Sequence, residues 1–67
     1  MNRERKRVTG ILALGPRGPF VITDAGDHWV LDLDDFDPEM IGRQVTAEGV
    51  LVGYDRLQTD WMGEALH

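Results

Sequence analysis

The sequence predicts a small all-β fold, a closed β-barrel of five strands with one short helix between strands 3 and 4. Three observations predict it. The 67 residues hold five short β-rich runs, separated by clusters of glycine, proline and aspartate, a pattern of strands and turns. One interruption, residues 34–42, carries helix-terminus chemistry instead. A chain this short buries only about 60% of the surface it exposes when unfolded. A sheet that closes on itself leaves few edges to protect, which suits such a thin core.

Residues 8–14 (VTGILAL) form the first strand and stop at the turn cluster Gly15-Pro16-Arg17-Gly18-Pro19. Val8, Gly10, Leu12 and Leu14 share one face and Thr9, Ile11 and Ala13 the other. Both faces are apolar, as expected of a strand that curls and serves two parts of a barrel, and Gly10 marks the bend. Residues 20–23 (FVIT) are the second strand, closed into a hairpin by Asp24-Ala25-Gly26-Asp27, where Gly26 suits a positive φ. Residues 28–33 (HWVLDL) alternate with period two, Trp29, Leu31 and Leu33 against His28, Val30 and Asp32, which is a half-buried strand.

Asp37 is a good N-cap, Pro38 fits the first helical position, Glu39 suits the positive end of the helix dipole and Gly42 is a stop. The short helix so bounded offers Met40 and Ile41 as a plug for the barrel's open end. Residues 43–61 then form the closing hairpin around the turn Gly53-Tyr54-Asp55. Val45, Ala47, Gly49 and Leu51 share a face, with Gly49 as its bend. In the last strand Leu57, Thr59 and Trp61 oppose Arg56, Gln58 and Asp60. The division expected is a basic, disordered arm over residues 1–7, a barrel domain over 8–62 and a frayed tail over 63–67.

Trp29-x-Leu31, Ile41-Gly42-Arg43-x-Val45-x-Ala47-x-Gly49 and Gly53-Tyr54-Asp55-x-Leu57 resemble a small uncharacterised bacterial family of OB-like barrel proteins. The resemblance spans residues 8–62 and lies in glycines and core positions, so it implies a five-stranded OB-like barrel and no activity. An SH3-like barrel is the rival, with the short helix placed differently and the end strands paired otherwise. Cold-shock proteins and bacterial initiation factor one share the length and bind RNA, but their likeness transfers no function by fold alone. The cold-shock aromatic signature is missing here.

The net charge of −5 is unevenly spread. Arg3, Arg5, Lys6 and Arg7 crowd the first seven residues, whereas from Val8 onward Arg17, Arg43 and Arg56 face eleven carboxylates, a balance of 3 − 11 = −8. A body of that sign repels phosphate backbones and disfavours nucleic acid as a partner, leaving the arm as its one electrostatic handle. No apolar run approaches the ~20 residues of a membrane helix. The first residues are charged and lack the apolar core of a signal peptide. With no cysteine, neither disulfide nor thiolate metal site is available, and a cytoplasmic protein is expected.

No reaction signature appears. The chain has no serine and no cysteine for His28 or His67 to activate. The run Asp32-x-Asp34-Asp35-x-Asp37-x-Glu39 opens like a calcium loop but lacks glycine at its sixth position and glutamate at its twelfth. It reads as a solvated loop with one cap, so no metal, cofactor or enzymatic activity is expected. The contact-surface candidates are Tyr54 and Trp61 near the rim, with Phe20, Trp29, Arg17 and Arg56 on or beside the second and third strands. Trp29 shares its face with Leu31 and Leu33, which points it inward. The expectation is a non-enzymatic binding module, pairing with a protein partner or with itself. The alternative is weak single-stranded nucleic-acid binding through the barrel face and the arm.

Overall fold

The computed structural model describes residues 4–65, an all-β arrangement of five strands whose sheet closes in a ring. In chain order these are β1 (Arg5–Gly15), β2 (Gly18–Thr23), β3 (His28–Asp32), β4 (Gln44–Val52) and β5 (Arg56–Glu64). Around the ring they run β1-β2-β3-β5-β4, and β4 returns to β1. Every neighbouring pair is antiparallel except β3 with β5.

The eleven-residue β1 makes closure possible by serving two partners. Its end from Gly10 onward pairs with β2, and Arg5 to Ile11 pairs with β4. The strand must therefore curl at Gly10, and a Cβ there would run into the backbone carbonyl of Ile22. Gly49 repeats the device on β4, where a Cβ would strike the carbonyl of Gln58. Both expected bends are thus points where two backbones approach too closely for a side chain.

Inward-facing residues from all five strands fill the interior. Val8, Leu12, Val21, Leu31, Val45, Ala47 and Leu57 make the core, and Trp29, Leu33, Phe36, Met40, Leu51 and Met62 pack around it. Leu12 and Leu57 are the largest side chains with no exposure at all. Truncating either to alanine costs about 2–5 kcal/mol, a large share of what so small a domain possesses.

The structure departs from the sequence-based expectation in four places. Between β3 and β4 there is no α-helix, only a 3-10 turn at Pro38–Met40. Its start is as expected: Asp37 Oδ1 accepts from the Glu39 N–H at 2.9 Å, with Pro38 following the cap. However, Gly42 takes a φ of 89° so soon after Pro38 that too few residues remain to nucleate an α-helix. That glycine donates to the Leu12 carbonyl while Leu12 donates back to Arg43, at 2.8 and 3.0 Å. The turn is thereby tied to β1. Met40 packs on the core as a plug should, but Ile41 is exposed.

The other three departures concern strand ends and register. Arg5, Lys6 and Arg7 belong to β1 and are not part of a disordered arm; Arg3 lies outside the described residues. Gly63 and Glu64 complete β5, where a tail was expected. Finally, β5 does not alternate throughout. Glu48 faces Trp61 but Gly49 faces Thr59, so Asp60 is an extra residue in the ladder. After this irregularity Met62 takes the inward place beside the core and Trp61 turns out, leaving the face that Leu57 and Thr59 occupy.

Candidate binding cleft

A cleft lies beside the irregularity in β5. Asp60 to Met62 stand opposite the segment that leaves β3, and the space between them is a cleft of about 510 Å³. Leu33, Phe36, Met40, Trp61 and Met62 supply its apolar surface; Asp34, Asp35, Asp37 and Asp60 supply carboxylates. Among the described residues neither lysine nor arginine lines it. Four of the apolar residues also pack against the core, so that surface is held by the fold. Trp61 is the exception, 53% exposed. Its ring lies over Gly63, where a Cβ would come within 3.0 Å of it.

The carboxylates are held in different ways. Asp35 Oδ1 accepts from the Phe36 N–H at 2.9 Å, and Asp37 caps the 3-10 turn. Asp60 is gripped from outside the cleft by Arg5, whose Nη1 and Nη2 donate to its two oxygens at 2.9 and 3.1 Å. This hydrogen-bonded guanidinium holds the Asp60 carboxyl below the usual carboxylate range and raises the pKa of Arg5 in turn. Among the described residues no group of three or more histidine, cysteine or acidic side chains is arranged to hold a metal ion. No helix there is long and apolar enough to cross a membrane.

A smaller cavity, about 300 Å³, opens on the outer side of β2 and β3 between Pro16, Arg17, Phe20, His28, Val30 and Asp55. Phe20 lies cross-strand from Val30 and tilts onto His28, with ring centroids 5.4 Å apart. Arg17 donates to both oxygens of Asp55 at 3.0 and 3.3 Å, joining the β1–β2 turn to the β4–β5 turn. That contact lowers the pKa of Asp55 and raises that of Arg17.

The residues singled out from sequence therefore do not form one surface. Phe20 and Arg17 meet at the smaller cavity, Arg56 lies 3.9 Å from Asp32, and Tyr54 is 91% exposed at the neighbouring turn. Trp61 belongs to the larger cleft. Trp29 is half-buried against the core, with Lys6 Nζ 5.2 Å from its ring centre. The basic residues of the expected arm are engaged as well, Arg5 with Asp60 and Glu48, Arg7 with Glu48, and Lys6 with Trp29.

Comparison with known proteins bears on this arrangement through one match: the model of a family described as a protein of unknown function, DUF5818, matches residues 9–65. The chain belongs to the DUF5818 family. No curated protein and no solved structure matches it. The matched span runs from β1 to just past β5, so both cavities of this DUF5818 chain lie within the family's own domain. Arg5, Lys6 and Arg7 precede that span. Sequence reading missed the part Leu33, Phe36 and Met62 play in the larger cleft. Its only advance signal was the acidic run after β3, which read as solvated loop.

Proposed function

We propose that this chain is a non-enzymatic, OB-like binding module that engages a protein partner through the acid-rimmed cleft. The strand order β1-β2-β3-β5-β4, with the 3-10 turn between β3 and β4, supports the OB-like reading. The absence of cysteine supports a reducing, cytoplasmic setting. One observation carries the functional reading: an apolar cleft with a half-exposed tryptophan is lined, among the described residues, by four aspartates and no lysine or arginine. Its complement is a segment that presents lysine or arginine beside apolar side chains, since aromatic anchors supply contact energy and opposite charge supplies orientation and rate. A second copy of this chain fits less well, because Arg5, Arg7, Arg17 and Arg43 already sit on its own carboxylates.

Titration with a short peptide of alternating arginine and leucine, followed by tryptophan emission and calorimetry, tests the reading. Binding on the order of 10 µM is expected, with weakening as salt rises because the carboxylates are exposed. A matching glutamate–leucine peptide stays unbound. Trp61→Ala and the double change Asp34→Asn with Asp35→Asn each lower the affinity about tenfold while the protein remains folded. Equal binding of the two peptides, or full affinity after Trp61→Ala, would remove the cleft from consideration.

A second reading, weak single-stranded nucleic-acid binding, has one observation in its favour: Phe20 stands on the outer side of β2 near Arg17. Aromatic platforms in such positions stack bases. Against it, Arg17 and Arg56 each face a carboxylate. A fluorescent oligonucleotide at low salt decides the matter, and no binding at about 50 µM protein ends this reading.

A further inference from the structure

We propose that Asp60 reads a guanidinium on the partner, and that Arg5 is a built-in competitor for that position. This rests on the cleft reading above and names the group the cleft recognises. Arg5 already makes the contact a ligand arginine would make, two parallel N–H donors onto the two oxygens of Asp60. Such a fork matches a carboxylate in a way an ammonium cannot. Asp60 is the extra residue of β5, and its side chain is open to water although Arg5 holds it. Its side chain stands at the edge of the cleft beside Trp61.

The Arg5–Asp60 pair is poised to exchange. Its side chains are 53% and 55% exposed, and ion pairs that open to water add little to stability. Arg5 also has a second carboxylate within reach, since its Nη2 lies 3.7 Å from Glu48. When an incoming arginine takes Asp60, Arg5 moves onto Glu48 and keeps a partner. Glu48 also receives Arg7 at 3.2 Å, so after the exchange its one carboxylate is shared by two guanidinium groups. The half-exposed Trp61 offers its ring to the same guanidinium, a contact that favours arginine over lysine.

The test is a calorimetric comparison of arginine–leucine and lysine–leucine peptides on the wild-type protein and on Arg5→Gln, Arg5→Lys, Arg7→Gln and Asp60→Asn. Circular dichroism and thermal unfolding of each variant check the fold. Arg5→Gln binds the arginine peptide about 2–5-fold tighter than wild type, the range expected from releasing an exposed ion pair. Arg5→Lys keeps the charge, loses the fork and tightens binding in the same direction. Arg7→Gln removes the same charge from beside Glu48 and leaves the preference for arginine over lysine as in wild type. Asp60→Asn abolishes that preference, and adding Arg5→Gln to it gives no further gain. Unchanged or weaker binding by a folded Arg5→Gln overturns the competitor role alone; should that variant not fold, unchanged or weaker binding by Arg5→Lys does so. Failure of both peptides to bind wild type and Arg5→Gln alike overturns the cleft reading with it.

Discussion

Gly49 shows how one residue can decide whether the sheet closes. Its Cα lies so near the Gln58 carbonyl that alanine would have to push β4 and β5 apart along a backbone, where nothing flexible can yield. Gly10 stands in the same relation to Ile22 across β1 and β2. Overpacking of this kind costs about 1–3 kcal/mol or more, so Gly49→Ala and Gly10→Ala should each lower the urea midpoint clearly. Gly26, with nothing near its absent Cβ, should lose only the cost of a positive φ, about 1–2 kcal/mol. Charge acts at this scale too. Asp55 and Asp60 both have pKa values lowered first by a guanidinium hydrogen bond. A depressed carboxylate contributes stability that is present above its unfolded-state pKa and lost as pH falls through the folded value. Stability should therefore be flat from neutral pH down to about pH 5 and decline below about pH 4. In Arg5→Gln and Arg17→Gln part of that acid-side slope should disappear, as unfolding midpoints measured across this range will report. Both pairs are exposed, so the effect is small.

At the scale of an element, β5 carries the most information. Its extra residue, Asp60, makes the strand change face, so that Met62 packs near the core and Trp61 opens to solvent. Met62→Glu should therefore destabilise the protein by about 2–4 kcal/mol, because it sets a charge against apolar neighbours. Trp61→Glu should cost less than about 1 kcal/mol. Denaturant unfolding distinguishes this from strict alternation, in which the order is reversed. The hydrophobic period of two placed the inward face of β4, which keeps its alternation from Val45 to Gly49. It could not place the face change in β5, because a bulge adds a residue without altering the composition of the strand. Nor could it show that Pro38 and Gly42 stand too close for an α-helix. Capping chemistry marks a start, while helix length is set by where the chain must next join β1.

At the scale of the molecule, charge and topology act together. The basic residues ahead of Val8 read as a free arm, yet closure of the ring carries β1 past Glu48 and Asp60 and spends Arg5 and Arg7 on ion pairs. A contact between residues 55 positions apart is invisible to local reading. The candidate site was hidden for the same reason. Its aspartates follow β3, its tryptophan and methionine belong to β5, and only the parallel β3–β5 pairing brings them together. Four aspartates then stand beside an apolar cleft, and a cationic, apolar protein segment is its proposed complement. Nitrogen–proton correlation spectra recorded during titration with the arginine–leucine peptide test that claim most directly. Shift changes should concentrate at Leu33 to Asp37, Asp60 to Met62 and the Trp61 indole, with Phe20 and His28 unmoved. Changes centred on Phe20, His28 and Arg17, or none at saturating peptide, would contradict it.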